Sequence, residues 1–149
     1  MIILLDIDGV MVPATLWKQP EFLNDGFPAF SLKAVSSLQA IVSQTRASVV
    51  LTSSHKFKFS LSEWKDIFLK RGLSICSIDR LEDNTNFLTR KEEVLRWVQL
   101  NQYKDFIIID DDKSLNGLPL EIKKRLILTS PMIGLSDEHV GQAIKMTID

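Results

Sequence analysis

Three short, wholly apolar runs, each ended by an acidic or hydroxyl residue, limit the folds open to this chain. They are Met1–Leu5 before Asp6, Val49–Leu51 before Thr52, and Phe106–Ile109 before Asp110. Continuous apolar runs of this length are typical of strands that are buried on both faces of a parallel sheet. Amphipathic stretches separate them, so we predict an α/β fold with right-handed crossovers between parallel strands.

Weaker patterns supply the remaining elements. A third strand is predicted around Ile75 and Ile78, and a fifth at Leu126–Leu128. Polar residues that favour helix N-termini precede the amphipathic stretches, at Ser31, at Ser60 or Ser62, at Thr89 with Glu92, and at Ser136–Glu138. We therefore expect strands and helices to alternate along the chain.

Length and charge restrict the class of protein. A chain of 149 residues predicts a single domain over residues 1–149. Its 18 basic and 19 acidic residues give a net charge of −1, which does not indicate a large nucleic-acid interface. No apolar run is long enough to cross a membrane, so a membrane partner is not expected.

The single cysteine, Cys76, excludes an intramolecular disulfide and a multi-cysteine zinc site. Because it lies in the apolar stretch Leu73–Ile78, we expect a buried thiol. A protein of this kind suits a reducing compartment, and we expect it to be cytoplasmic.

Carboxylates gather at the predicted strand ends. Because parallel strands present their carboxyl ends at one edge of a sheet, Asp6, Asp8 and the run Asp110–Asp112 should meet there. Two like charges 4 Å apart repel by about 4 kcal/mol at an effective dielectric constant of about 20. A divalent cation would remove this repulsion, and a set of oxygen ligands without His or Cys favours Mg²⁺.

These motifs together resemble the haloacid dehalogenase-like (HAD) phosphohydrolase superfamily. The four motifs, in chain order, are Asp6-Ile7-Asp8, Thr52-Ser53, Lys91 near a helix start, and Asp110-Asp111. The resemblance implies a Rossmannoid three-layer sandwich with a five-stranded parallel sheet in the order 3-2-1-4-5. The stretches Thr52–Ser54, Asp110–Asp112 and Gly134–Glu138 look most like the small HAD domains associated with RNA-repair modules.

The resemblance also implies a role for each motif residue. Asp6 is the expected nucleophile, which forms an aspartyl-phosphate. Asp8 is the expected general acid and then the base. Thr52 is expected to bind the transferring phosphoryl group, and Lys91 to neutralise charge on Asp6 and on the phosphate.

Mg²⁺ is the expected cofactor, held by Asp6, the backbone carbonyl of Asp8, and Asp111. The sequence leaves open whether Asp110 or Asp111 is the direct ligand. It also leaves open whether Thr52 or Ser53 binds phosphate, and whether Arg90 replaces Lys91.

Spacing between the motifs bears on the substrate. The intervals from Asp8 to Thr52 and from Thr52 to Lys91 are too short for a cap domain, so we expect an open site. Open sites of this superfamily suit large substrates, here a phosphoprotein or a nucleic-acid end. The expected substrate contacts are Trp17, Ser53, His55 and Lys56, with the loop Met11–Phe30 as a wall beside the phosphate.

Three other functions are compatible with parts of this pattern. A catalytically idle HAD-like domain that keeps its metal site is one alternative, and a phosphatase of small phosphometabolites is another. A receiver-type signalling domain is disfavoured by the order of the motifs. In receivers an acidic pair comes first, the acceptor Asp follows and the Lys comes last, whereas in this chain the acidic pair Asp110-Asp111 comes after Lys91. The sequence does not indicate an oligomeric state.

Overall fold

The computed structural model describes residues 1–14, 19–102 and 104–148. Its five strands form one wholly parallel sheet in the order β3-β2-β1-β4-β5. The strands are β1 (Ile2–Leu5), β2 (Ser48–Leu51), β3 (Ile78–Arg80), β4 (Phe106–Asp110) and β5 (Leu126–Leu128). The predicted strand number, direction and order are therefore confirmed.

Helices connect the strands. They are α1 (Leu32–Thr45), α2 (Leu61–Lys70), α3 (Arg90–Leu100), α4 (Leu120–Lys123) and α5 (Asp137–Ile148), with a 3-10 helix over Lys113–Gly117. The side chain of Ser31 caps α1, and capping boxes begin α2 at Ser60 and α3 at Thr89. These caps satisfy backbone N–H groups that a helix start leaves without a partner, which is why the polar signals located the helices well.

Alternate residues of the central strands face two separate cores, because successive side chains of a strand point to opposite sides. Ile3 and Leu5 of β1 face the core that contains residues of α1, α2 and α5. Leu4, between them, faces the core formed with α3 and the 3-10 helix. The result is the three-layer sandwich that the sequence predicted.

Two details differ from the sequence prediction. The third strand covers Ile78–Arg80 and does not include Ile75. Ile75 is buried in the connection before it, while the neighbouring Cys76 is exposed. The expectation of a buried thiol was wrong because Ile75, and not Cys76, takes the inward position in this apolar stretch.

The sheet edge at the carboxyl ends of the strands carries no cap domain in the described residues. Between β1 and α1 the described part of the chain forms only turns and isolated bridges, and between β2 and β3 it forms α2 and short connections. None of the helices in residues 1–14, 19–102 and 104–148 is long and apolar enough to span a bilayer.

Candidate functional site

Three carboxylates meet where β1 and β4 end. The two strands are paired so that Leu5 lies beside Ile109, which places Asp6, Asp110 and Asp111 next to one another. Each offers an oxygen, and these three oxygens all lie within 4.8 Å of one another. Asp6 and Asp110 are buried, whereas Asp111 is half-buried. Of the carboxylates expected to meet at this edge, these three lie together, whereas Asp8 pairs with His55 and Asp112 caps the 3-10 helix.

Arg90 at the start of α3 is the cation that contacts this cluster. Its guanidinium Nη1 lies 2.6 Å from Asp110 Oδ2 and 3.4 Å from Asp6 Oδ1. Burial opposes the charge of Arg90, but the neighbouring Asp110 and Asp6 carboxylates outweigh it and raise the pKa of the guanidinium. Arg90 therefore stays cationic beside the two most buried carboxylates.

Asp110 has both carboxylate oxygens occupied. Oδ2 accepts from Arg90 and, at 3.4 Å, from the Thr52 hydroxyl. Oδ1 accepts from the backbone N–H of Asp112 at 3.1 Å. Asp110 is thus tied to three neighbours, whereas Asp111 is the more accessible member of the cluster.

Asp6 is held in a setting that disfavours its charge. Burial first, and then repulsion by the Asp110 carboxylate, raise its pKa from 3.8 to about 8, although Arg90 acts in the opposite direction. Asp6 and Asp111 share a hydrogen bond, and burial also raises the pKa of Asp111. Without a metal, the cluster thus retains a proton near neutral pH.

Gly9 makes room for Asp111. It adopts a left-handed conformation with φ of +79°, and a Cβ at this position would overlap the Asp111 carboxylate. The Gly9 carbonyl accepts a 2.7 Å hydrogen bond from the buried hydroxyl of Thr129, which follows β5. Thr129 thus fixes the turn after β1, and nothing in the sequence pattern singled it out.

The two hydroxyl residues after β2 have different positions. The Thr52 hydroxyl lies at the carboxylate cluster, 3.3 Å from Arg90 Nη1. The Ser53 hydroxyl accepts from the backbone N–H of His55 and closes a local turn. Both side chains are buried. Thr52, and not Ser53, therefore contacts the carboxylate cluster.

Asp8 lies outside the carboxylate cluster. Its Oδ2 is 2.8 Å from His55 Nε2, and its side chain is 60% exposed. His55 lies edge-on against the Phe27 ring, with a centroid distance of 5.9 Å. The structure therefore brings two predicted site residues together in a contact that the sequence did not foresee.

Among the described residues, neither predicted lysine forms an ion pair with the cluster. Lys56, a predicted substrate contact, is buried, and its ammonium lies 3.2 Å from Glu93 Oε2. Lys91 lies against Gly117, with Nζ 3.2 Å from where a Cβ would stand. In the described part of the chain it makes no ion pair with Asp6 or Asp110, because the adjacent Arg90 points to them.

The loop after the first motif borders the site in part. Arg71 pairs with Asp25 at 2.6 Å and donates to the carbonyls of Phe27 and Pro28, which anchors the loop on α2. Phe27 is consequently a core residue that touches His55, not an open wall. Trp17, the substrate contact predicted in this loop, lies outside the described residues.

Comparison with known proteins gave one finding. The profile of a family described as "HAD domain in Swiss Army Knife RNA repair proteins" matches residues 2–140. No curated protein and no solved structure gave a significant match. The match covers every strand and the four motifs discussed above.

Proposed function

Because the chain belongs to the family of HAD domains in Swiss Army Knife RNA repair proteins, we propose that it is a Mg²⁺-dependent phosphomonoesterase that acts on nucleic-acid ends. One observation carries the proposal. The oxygens of Asp6, Asp110 and Asp111 lie within 4.8 Å of one another at the carboxyl edge of the sheet. This is where an α/β sheet of this type binds its ligand.

The donor set fits Mg²⁺. It consists of carboxylate oxygens, and the burial and repulsion that raise the pKa of Asp6 are what a divalent cation would offset. Asp6 and Asp111 would be direct ligands, together with the Asp8 carbonyl, while Asp110 stays bound to Arg90 and Thr52. When bound, Mg²⁺ supplies positive charge that stabilises the charge developing on the phosphoryl group.

The proposed reaction has two steps. A carboxylate oxygen of Asp6 attacks phosphorus, the bond to the leaving oxygen breaks, and Asp8 donates a proton to that oxygen. Asp8 then removes a proton from water, and this water attacks phosphorus. The second step releases inorganic phosphate and restores the Asp6 carboxylate.

Different exposure suits Asp6 and Asp8 to these two roles. Asp8 is mostly exposed, so it can reach a leaving group that extends into solvent, and His55 holds its carboxylate from the other side. Arg90 and Thr52 surround Asp110 Oδ2 next to the nucleophile. We assign Arg90, in place of Lys91, to the cationic role of the third motif.

Two features support a macromolecular substrate. The described residues provide no cap over the site, so a long chain can approach it. The matched family takes its description from RNA repair proteins, which favours a nucleic-acid end over a phosphoprotein or a small phosphometabolite. Because the net charge is only −1, binding would depend on local contacts and not on a broad basic surface.

One observation favours a second function. Arg90 already neutralises Asp110 and contacts Asp6, so the protein itself compensates part of the charge of the cluster. This partial compensation favours a catalytically idle domain that keeps its metal site as the second candidate.

Phosphate release separates the two functions. We would incubate the protein with p-nitrophenyl phosphate and with a terminally phosphorylated oligonucleotide, with Mg²⁺ or with EDTA. We expect release that requires Mg²⁺, is lost in Asp6→Asn and persists in Asp66→Asn, a control at an exposed carboxylate on α2. Binding without release in the wild-type protein would support the idle domain and contradict the phosphatase.

A further inference from the structure

A cavity of about 160 Å³ lies beside the site, between the connection from β3 to α3 and one side of α3. Glu93 belongs to its lining and also accepts a hydrogen bond from the buried Lys56. Glu93 Oε1 lies 3.9 Å from Arg90 Nε, and Arg90 contacts Asp6. Two side chains thus connect the cavity to the proposed nucleophile.

The size and lining of this cavity suit one neutral aromatic ring. An apolar cavity of about 150 Å³ is large enough to hold benzene. Trp97 and Leu100 provide apolar surface, and Asn86 and Asn101 add amide groups that can bond to polar ring edges. Three acidic side chains and two arginines line it, a balance that disfavours a bound phosphate.

An exposed aromatic residue lies at the rim. Phe87 stands between two lining residues, is 92% exposed and has φ of +53°, a left-handed conformation that bulky residues seldom adopt. Asn84 maintains this turn through hydrogen bonds of 2.7 Å to both the N–H and the carbonyl of Leu88. Backbone strain at a bulky, exposed residue points to a functional constraint.

Arg80 and Phe57 form a second flat surface at the lining of the cavity. The Arg80 guanidinium, which contributes to the lining, lies 4.2 Å from the centroid of the half-exposed Phe57 ring. Arg80 is fixed there by hydrogen bonds to the carbonyls of Lys56 and Phe59. Flat arginine and aromatic groups of this kind stack on unpaired bases.

We propose that the cavity binds the base of the nucleotide at the phosphorylated end, which makes an unpaired nucleic-acid end the preferred substrate. This inference rests on the proposed phosphatase function. Base stacking tolerates any sequence because every base has an aromatic face. The cavity would therefore confer preference for an unpaired end without reading its sequence.

The test compares ends that have a base with ends that lack one. The probes are single-stranded oligoribonucleotides with a phosphate at the 5′ or the 3′ end, each paired with the same oligonucleotide carrying an abasic terminal nucleotide. Leu100→Trp partly fills the cavity, and Leu69→Trp, at an exposed position on α2, is the matched control. Each kcat/KM is divided by the value of the same variant on p-nitrophenyl phosphate.

We expect wild-type protein to prefer the base-bearing end by about tenfold. Leu100→Trp should reduce this preference to near unity, and Leu69→Trp should keep it. Equal activity of wild-type protein on both ends would overturn the base-binding role while the phosphatase function stands. A stronger preference for an aromatic phosphopeptide, again lost in Leu100→Trp, would overturn it in favour of a protein substrate.

Direct binding keeps the inference testable if no phosphatase activity is found. A fluorescein-labelled oligoribonucleotide without a terminal phosphate should then bind wild-type protein more tightly than Leu100→Trp. Equal affinities of these two proteins would contradict the base cavity independently of catalysis.

Discussion

Asp6 and Asp8 stand two residues apart and occupy opposite chemical environments. The Asp6 side chain is 7% exposed and shares its surroundings with Asp110, Asp111 and Arg90. The Asp8 side chain is 60% exposed, with His55 as its partner. The tight turn at Gly9 follows both residues and leaves room for the Asp111 carboxylate of the buried cluster. One strand end thus presents a buried carboxylate and an exposed one, which we propose as the nucleophile and the proton donor.

Removing the buried carboxylate should have the largest effect on activity. Asp6→Asn deletes the nucleophile and preserves side-chain shape, so we expect kcat on p-nitrophenyl phosphate to fall by at least about 10⁴-fold. Phosphate release with saturating Mg²⁺ measures this. Activity close to that of the wild-type protein would contradict the covalent mechanism.

The same variant should be more stable than the wild-type protein without metal. Asp6 has a pKa of about 8 in the folded protein and an ordinary value of 3.8, so the folded state keeps a proton that the unfolded state loses. Wild-type stability must therefore fall as the pH rises from about 4 to about 8. The Tm advantage of Asp6→Asn in EDTA should grow over this window to about 15 °C and then level off.

Thermal unfolding at several pH values measures this advantage. Asp8→Asn is the control, because its side chain is mostly exposed and should show no comparable trend. A Tm difference for Asp6→Asn that does not change with pH would contradict the raised pKa.

The exposed pair should have the next largest effect. Asp8→Asn removes the proton donor, and we expect kcat to fall by about 10³-fold on a substrate with a poor leaving group. The loss should be smaller with p-nitrophenyl phosphate, whose leaving group needs little protonation. His55→Ala, which removes only the partner of Asp8, should cost about tenfold. Equal losses of Asp8→Asn on both substrates would argue against general acid catalysis.

Neighbouring residues Arg90 and Lys91 allow a direct comparison. Arg90→Ala leaves Asp110 buried without its cation, so we expect unfolding free energy to fall by about 3 kcal/mol and kcat/KM by about 100-fold. Lys91→Ala should change activity by no more than about twofold. Urea unfolding would measure the stability of each variant, and phosphate release would measure its activity. A larger loss of activity in Lys91→Ala than in Arg90→Ala would assign the cationic role to Lys91 instead.

The Gly9 turn, which follows both aspartates, should have the smallest effect. Gly9→Ala adds a Cβ that overlaps the Asp111 carboxylate and should weaken Mg²⁺ binding by about tenfold. Gly26→Ala is the matched control, since Gly26 has φ of +78° and open space around its Cβ position. Calorimetric titration with Mg²⁺ compares them, and equal losses in both would assign the effect to backbone strain alone.

The fold was predictable because its signals are local. Continuous apolar runs identify buried strands, and capping residues such as Ser31 and Thr89 mark helix starts. Placement of the third strand failed because its three residues, Ile78–Arg80, have a weak apolar pattern at the edge of the sheet. A short edge strand depends on its neighbour for its position and contributes little signal of its own.

The site was predictable as a set of motifs but not as a set of contacts. Strand ends bring Asp6 and Asp111 together whatever the side-chain details. Arg90 and Lys91 are neighbours in α3, so their side chains point in directions about 100° apart around the helix axis. The capping motif locates the start of the helix but does not show which of the two side chains faces the cluster. The buried ion pair of Lys56 with Glu93 and the hydrogen bond from Thr129 to Gly9 join residues that are far apart in the sequence. A local sequence pattern therefore cannot predict them.

Trapping the phosphorylated intermediate tests the central claim most directly. We would mix the protein with a ³²P-labelled phosphorylated oligonucleotide and Mg²⁺, quench in acid, and measure the label that stays on the protein. A parallel unlabelled sample is reduced with tritiated borohydride, which releases the phosphate and converts the phosphorylated aspartate to tritiated homoserine for peptide mapping. We expect one ³²P label that is sensitive to hydroxylamine and absent in EDTA, and tritium at Asp6. Phosphate release without protein labelling, or a label on any other residue, would contradict this claim.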